Sequence, residues 1–279
     1  MSQTELMVET PQIFQGLPIL TGLVLKNAEF IQSPFGVNFG NSDKAVRNRS
    51  RAALKKHIGS YKVIIWNIEE HGTKIRRVSA KSRSNALADG MITDETEIVI
   101  TAKTGDCGVA VVYSEDPKCV GIMHIGKAGA EKEAAILLVQ AMETEFNARP
   151  AQMTAWITPS AGGEYFVFPN EAEYYPAAYK KIIPAYANAI YQHKPMSDER
   201  RENIESLQDP YRYIAILQIK EWIRDQLISC GVPSRQIEMS PIDTVRHPSK
   251  YVSFRASGNP VKGGIRTHGL SVVFAMLIS

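Results

Sequence analysis

The segment from Thr101 to Gly129 reads TAKTGDCGVAVVYSEDPKCVGIMHIGKAG and decides the fold. Two short runs rich in valine, Val109–Val112 and Val120–Met123, flank a polar stretch that contains a proline. Apolar β-branched runs around such a stretch are typical of a β-hairpin. We therefore predict that these two runs are paired strands at the centre of the molecule.

Cys107 and His124 lie on opposite sides of this predicted turn, and the midpoint between them falls inside it. In a symmetric hairpin they would face each other across the ladder, with Cβ atoms about 4.5–5.5 Å apart. A thiolate and an imidazole at that distance can share a metal ion, because zinc accepts sulfur and nitrogen ligands. A cysteine and a histidine in strands are also ordinary core residues, so the spacing alone leaves both interpretations open.

The composition of the whole chain is that of an ordinary globular protein of 279 residues, with 44% hydrophobic and 22% charged residues. A net charge of +3 does not favour nucleic acid as a partner. The sequence shows no apolar run of membrane-spanning length and no secretory leader pattern. Three cysteines are too few for a disulfide framework, which favours a reducing compartment. We expect a cytoplasmic protein that binds neither nucleic acid nor a membrane.

Helical and strand patterns alternate irregularly along the chain. One predicted helix begins after a cap at Asn41–Asp43 and ends at Gly59. Two further predicted helices span Ala130–Phe146 and Tyr213–Cys230. Lys62–Ile68 is a buried strand by composition, and the other predicted strands are Gln12–Phe14, Leu20–Leu25, Ile75–Val78, Met91–Thr93, Ile98–Thr101, Met153–Thr158, Tyr165–Phe168, Gln236–Met239, Tyr251–Phe254 and Leu270–Leu277. No repeat or linker divides the sequence. We therefore predict one α+β domain over residues 1–279, with a mixed, largely antiparallel β-sheet and flanking helices.

Three residues share a position that suits metal binding. His71, Cys107 and His124 each stand at a predicted strand end. His71 and Cys107 directly precede a glycine, and His124 lies two residues before Gly126. Rigid strand ends can hold side chains in fixed positions, and catalytic zinc sites use three protein ligands with one position open. Cys119 and Cys230 lie in apolar surroundings and are predicted to be buried thiols.

The same three residues carry a resemblance to a known family. Glu70–Gly72, Gly105–Cys107 and Met123–Gly129 resemble three motifs of the laccase-domain family, also called multicopper polyphenol oxidase or YfiH/YlmD-like purine nucleoside phosphorylase. In that family the motifs supply one cysteine and two histidines to a zinc ion. The resemblance therefore implies a laccase-domain fold and a Zn2+ site formed by His71, Cys107 and His124. Further segments that resemble the family in the same order are Asn38–Gly40, Asn48-Arg49, Thr158–Gly162, Tyr165–Val167, Ser253–Arg255 and Gly264–Arg266.

The resemblance implies a zinc-dependent enzyme whose substrates are a purine nucleoside and phosphate, with adenosine deamination and methylthioadenosine phosphorolysis as further activities. Phosphorolysis places negative charge on the phosphate and the leaving base, so cationic groups should line the pocket. For deamination, Asp106 or Glu70 could move a proton, although for Asp106 we prefer the interpretation that it orients a ligand through a hydrogen bond. The catalytic candidates are Asp106, Arg49 and Lys127, and the candidates for binding substrate or phosphate are Asn38, Arg49, Ser160, Arg255 and Arg266.

Several positions depart from the family pattern, and two other functions stay open. Lys127-Ala128 replaces the usual Trp-Arg, Asp243 replaces a cysteine, and Ala256 replaces a second arginine. One alternative is a copper-dependent oxidase of phenols, since one cysteine and two histidines suit copper as well as zinc; the six histidines of the chain are few for a multicopper centre. The other is a non-catalytic, zinc-stabilised binding protein. Whichever function holds, we consider a homodimer of this chain as a possible assembly.

Overall fold

The computed structural model describes residues 6–26, 37–40, 44–162, 167–169, 214–216, 218–256, 261–262, 265–266 and 269–279. The helices are α1 (Lys44–Ile58), α2 (Lys127–Glu131), α3 (Ala134–Phe146) and α4 (Ile219–Ser229). The strands are β1 (Val8–Glu9), β2 (Ile19–Val24), β3 (Val63–Ile68), β4 (Ile75–Arg77), β5 (Asn85–Leu87), β6 (Gly90–Thr93), β7 (Ile98–Thr104), β8 (Gly108–Glu115), β9 (Lys118–Ile125), β10 (Met153–Ile157), β11 (Val167–Pro169), β12 (Ile214–Ile216), β13 (Ile237–Met239), β14 (Val261–Lys262), β15 (Ile265–Arg266) and β16 (Ser271–Leu277).

Two six-stranded sheets form the body of the fold. The first has the order β1-β2-β16-β7-β3-β5 and the second the order β13-β10-β8-β9-β6-β4. Most neighbouring strands are antiparallel. In the first sheet, β3 is parallel to both of its neighbours, β7 and β5. In the second sheet, the edge strand β4 is parallel to β6 and the edge strand β13 is parallel to β10. The α+β class with a mixed, largely antiparallel sheet arrangement is therefore confirmed.

The two sheets pack face to face, and helices cover their outer faces. Along β8, Val109, Val111 and Tyr113 belong to the core between the sheets, whereas Ala110 and Val112 belong to the core beneath α3 and α4. This division follows from the alternation of side chains along a strand. The outer face of the first sheet packs under α1 through residues such as Leu54 of the helix and Phe274 of β16. The layers are thus helix, sheet, sheet, helix.

The central hairpin is confirmed, but its predicted register is wrong. β8 and β9 pair from Gly108 with Ile125 down to Glu115 with Lys118, which leaves a two-residue turn. His124 therefore lies opposite Val109 and not opposite Cys107. Cys107 precedes the first paired residue of the ladder, because the true centre of the turn is one residue further along the chain than the Cys107–His124 midpoint.

Several element boundaries differ from the sequence prediction. The helix predicted over Ala130–Phe146 is divided into α2 and α3, because Glu133 adopts a left-handed backbone with φ of 59°. The helix predicted from Tyr213 begins only at Ile219, and Ile214–Ile216 instead pairs with Val167–Pro169 as strand β12. Gln12–Phe14 and Tyr251–Phe254 form turns and bends rather than strands, and Asn85–Leu87 is an additional strand. The sequence of residues 170–210, rich in tyrosine, alanine and charge, also predicts one or two helices. That segment and the predicted cap at residues 41–43 lie outside the described residues.

In the described ranges, every helix is too short or too polar to cross a membrane.

Candidate metal centre

Three side chains from distant positions in the sequence meet at one end of the two sheets. His71 follows β3, Cys107 lies in the turn between β7 and β8, and His124 is near the end of β9. Their nitrogen and sulfur atoms all lie within 4.8 Å of one another, so the three residues could hold one metal ion. The two imidazole rings stand nearly perpendicular, at 88°, with centroids 5.0 Å apart. The sequence prediction that these three residues converge is confirmed.

The backbone at His71 is held in an unusual conformation by a buried acid. His71 has φ of 56°, in the left-handed region that non-glycine residues rarely occupy. The preceding amide, the N–H of Glu70, donates to Oδ1 of Asp89 at 2.9 Å, and Asp89 is 1% exposed. Such a conformation persists only where the surroundings determine it. Asp89 therefore fixes the turn that presents His71.

Cys107 is presented by a tight turn and faces a glycine. Thr104 donates its hydroxyl to the carbonyl oxygen of Cys107 at 2.6 Å, which closes the turn between β7 and β8. A Cβ atom at Gly126 would lie 3.0 Å from the Cys107 Sγ and 3.7 Å from Cδ2 of His71. Any side chain at Gly126 would therefore enter the space between the two candidate ligands, and the glycine keeps that space available.

His124 is the most deeply buried of the three. It continues the inward-facing row of Val120 and Ile122 on β9, and its backbone N–H donates to the carbonyl oxygen of Asp89 at 2.9 Å. Its Nδ1 is buried and has no hydrogen-bond partner in the described part of the chain. Burial, with the nearby charge of His71, lowers the pKa of His124 to about 4. A neutral imidazole with an unsatisfied buried nitrogen fits a metal ligand, so the residues present fit a metal ion on chemical grounds.

A cavity of about 320 Å³ opens onto the three candidate ligands, a size at the lower end of small-molecule pockets. Phe254, Leu270 and Ala128 form an apolar part of its lining. The charged residues that line it are Glu69, Lys103, Asp106, Lys127 and Arg255. The cavity thus combines an apolar wall, several charges and the candidate metal ligands.

The carboxylate of Asp106 is surrounded by donors from the chain itself. It accepts hydrogen bonds from the Thr244 hydroxyl and from the backbone N–H of Arg255, each at 2.8 Å, and from the side chain of Ser253. Burial raises the pKa of Asp106 to about 6, although these hydrogen bonds act in the opposite direction. Asp106 thereby ties the segment around residues 244–255 to the turn that carries Cys107.

The structure brings only some of the predicted site residues to the cavity. Asp106, Lys127 and Arg255 line it, and Lys127 also pairs with Glu131 at 3.4 Å. Among the described residues that line the cavity, Asn38, Arg49 and Ser160 are absent. Arg49 is on the exposed face of α1, Asn38 is buried with Oδ1 accepting from the N–H of Gly40, and Ser160 is buried beside Asp243. Arg266 belongs to β15, but its side chain lies outside the described part of the molecule. Glu70 is half exposed and faces Lys74 at 4.0 Å.

Sequence reasoning missed two charged residues in the lining. Glu69 and Lys103 form an ion pair, with Nζ and Oε2 2.8 Å apart and side chains only 12% and 10% exposed. Glu69 directly follows β3 and Lys103 is the second-last residue of β7, and a charge at the end of a buried strand is the one signal that could have identified each of them. Asp89 was also missed, because a single aspartate before a glycine is indistinguishable from an ordinary turn residue.

The fold and this centre define a class of protein: two packed sheets with outer helices, and a group of one cysteine and two histidines at the sheet ends that could hold one metal ion. Residues 25–267 match the model of the family described as multi-copper polyphenol oxidoreductase laccase. The chain belongs to this family.

Two curated proteins are similar in sequence to the chain. The chain is 22% identical over 254 residues to purine nucleoside phosphorylase YlmD of Bacillus subtilis, which covers 85% of this chain and 83% of that protein. It is 25% identical over 196 residues to a purine nucleoside phosphorylase of Bacteroides thetaiotaomicron, covering 70% of this chain and 65% of that protein.

Two crystal structures share the fold. The structure of YlmD from Geobacillus stearothermophilus gives a TM-score of 0.74 at 20% identity and covers 96% of this chain and 94% of that one. The structure of the Bacillus licheniformis hypothetical protein YfiH also gives a TM-score of 0.74 at 20% identity, covering 99% and 97%. The laccase-domain, YfiH-like fold implied by the sequence is confirmed.

Proposed function

We propose that this protein is a zinc-dependent purine nucleoside phosphorylase, with adenosine deamination and methylthioadenosine phosphorolysis as further activities of the same site. The observation that carries the proposal is the cavity that joins the His71–Cys107–His124 group to cationic side chains and an apolar wall. The names of the two curated relatives support the choice of reaction.

The donor set supports zinc as the metal. A thiolate and two imidazoles are ligands that zinc accepts, and three protein ligands leave one position open in a tetrahedral site. When bound, zinc would supply Lewis-acid polarisation of an oxygen atom and lower the pKa of a bound water. His71, Cys107 and His124 would hold the ion, while Asp89 and Asp106 keep these ligands in place through the turns that carry them.

Lys127 and Arg255 are the proposed phosphate ligands. Both line the cavity, and a guanidinium can bind two phosphate oxygens at once whereas an ammonium acts as a point charge. Burial lowers the pKa of Arg255 while the charge of Asp106 raises it, so that Asp106 favours the charged form of this arginine. Cations fixed in the lining of the cavity would stabilise the negative charge that develops during phosphorolysis.

The apolar wall is the proposed site of the purine base. Phe254 is held by its backbone N–H, which donates to the carbonyl oxygen of Gly105 at 2.8 Å. Phe254 lines the cavity together with Leu270 and Ala128. Planar bases stack favourably on aromatic side chains, and Ala128, which stands where the family usually has a bulkier residue, widens this part of the lining.

Chromatography of the metal-replete protein with adenosine, inosine or methylthioadenosine, with and without phosphate, tests the proposal. Free base that forms only with phosphate, and is absent with His124→Ala, would support phosphorolysis. Inosine formed from adenosine would establish deamination. No conversion of any nucleoside by a folded, zinc-loaded protein would overturn the proposal.

A copper oxidase is the second candidate, favoured by the family description alone. Metal analysis and the oxidation of a phenolic dye separate it from the first. Dye oxidation that depends on bound copper would favour the oxidase, whereas zinc content without dye oxidation would exclude it as the principal activity.

A further inference from the structure

The ends of two parallel strands place a buried ion pair in the wall of the cavity. β3 and β7 run in parallel with Val63 beside Ile98, so Glu69 and Lys103 emerge together at their ends. The Lys103 Nζ lies 2.8 Å from Oε2 of Glu69, and both side chains are about nine-tenths buried. The backbone N–H of Lys103 donates to Oδ1 of Asn67 at 2.9 Å, which fixes the strand end that carries the ammonium.

Strand pairing does not require this ion pair. Removing two charges from water carries a large free-energy cost that their mutual attraction often fails to repay, so buried ion pairs are poor stabilisers. The opposite ends of the same two strands are joined by Lys62 and Glu97, 3.4 Å apart, with side chains 51% and 33% exposed. That exposed pair joins β3 and β7 at their beginnings without the cost of burial. The buried pair therefore calls for a reason connected with the cavity it lines.

The chemistry of the pair limits what it can bind. Its charges cancel, so it is a poor site for phosphate, and the cations Lys127 and Arg255 lie on other segments of the lining. An ammonium has three N–H donors and a carboxylate accepts several hydrogen bonds, so their mutual contact does not use up either group. A donor and an acceptor side by side match two adjacent hydroxyl groups, because each hydroxyl can both donate and accept.

We propose that Glu69 and Lys103 bind the vicinal 2′- and 3′-hydroxyl groups of the ribose of a nucleoside substrate. Glu69 accepts from one hydroxyl, and Lys103 donates to the oxygen of the other. This inference rests on the proposed function and deepens it. It assigns the sugar to the β3–β7 wall, the base to the Phe254 wall and phosphate to Lys127 and Arg255, and it predicts selection for ribosides over deoxyribosides.

Calorimetric titration in phosphate-free buffer tests the assignment without turnover. The wild-type protein is titrated with inosine and with 2′,3′-dideoxyinosine, and we expect inosine to bind about tenfold more tightly or better, as for hydrogen bonds to charged groups. The double variant Glu69→Leu/Lys103→Met removes both charges and should bind the two ligands equally, at the affinity of the dideoxy compound. Replacing a buried ion pair by apolar residues is often neutral for stability, so this variant should fold.

Two further variants make the result decisive. Lys62→Met/Glu97→Gln removes the matched pair at the other ends of the same strands and should keep the wild-type preference. Glu69→Gln retains the shape of the side chain and should reduce the preference severalfold, which gives a second test if the double variant does not fold. Thermal unfolding checks that each protein is folded.

The failures of the two proposals are distinguishable. Equal binding of both compounds by the wild type, or a preference that survives in the folded double variant, overturns the ribose assignment and leaves the phosphorolysis proposal standing. Wild-type protein that binds neither compound, and converts no nucleoside in the chromatographic test, overturns both.

Discussion

Replacing Gly126 by alanine tests whether the space between Cys107 and His71 serves a metal ion. Gly126 has φ of −85° and ψ of −173°, an extended conformation that alanine adopts without strain. The substitution therefore adds a methyl group and changes little else in the backbone. That methyl would lie 3.0 Å from Sγ of Cys107 and 3.7 Å from Cδ2 of His71.

The expected magnitude follows from these distances. Non-bonded heavy atoms are comfortable at about 3.5–4.0 Å, so the Cys107 sulfur has to move away by about 0.5–1 Å. Metal–ligand distances tolerate only about 0.2 Å, so a shift of this size is too large for an intact site. We expect zinc affinity to fall about 10–100-fold, the range seen when the support of a metal ligand is disturbed. The metal-free protein should lose little stability, because Cys107 is only partly buried.

Zinc affinity is measured by competition with a fluorescent chelator, and thermal unfolding of the metal-free protein is measured in parallel. Gly129→Ala is the matched control three residues further on, where the added methyl meets its nearest atoms at 3.4–3.7 Å, an ordinary contact distance. Gly129→Ala should bind zinc as the wild type does. Unchanged zinc affinity in Gly126→Ala would refute the assignment of this space to a metal ion.

Three further predictions concern Asp89 and Arg255 near the centre and Lys220 in helix α4. Asp89→Ala removes the acceptor for the Glu70 N–H, so the turn at His71 should loosen and zinc affinity should fall about tenfold or more in the chelator assay; wild-type affinity would contradict the role of Asp89. Arg255→Lys replaces the guanidinium fork by a point charge and should raise the KM for phosphate more than the KM for nucleoside, whereas equal effects in steady-state kinetics would place phosphate elsewhere. Lys220→Met leaves the carbonyl oxygens of Ser240 and Ile242 without their 2.8 Å donor, and denaturant unfolding should show a loss of about 1–3 kcal/mol; a change within error would mean that water replaces the ammonium.

The hairpin and the three candidate ligands were predictable because their signals are local. Apolar β-branched runs around a polar turn define β8 and β9, and glycines within two residues of His71, Cys107 and His124 mark strand ends. The register was not predictable, because it depends on whether the turn holds two residues or more. An error of one residue in the centre of the turn moves the partner of His124 from Val109 to Cys107.

The features that sequence reasoning missed depend on contacts between distant segments. Glu69 and Lys103 meet only because β3 and β7 pair in parallel, and nothing in either local sequence specifies the other strand as the partner. Ile214–Ile216 fits a helical period as well as a strand, and its pairing with Val167–Pro169 decides in favour of the strand. Arg49 has the residue type expected of a phosphate ligand, but the orientation of α1 relative to the cavity is a tertiary property.

The position of the candidate ligands has a mechanical meaning. His71 follows a strand of the first sheet, His124 lies on a strand of the second, and Cys107 lies in the turn by which the chain passes from one sheet to the other. An ion held by all three would link the two sheets at one end of the sandwich and would bear the applied force when the sheets are pulled apart. In a single-molecule pulling experiment across this edge, metal loss should therefore lower the rupture force sharply, whereas the edge at the β8–β9 turn should yield at the same force with or without metal.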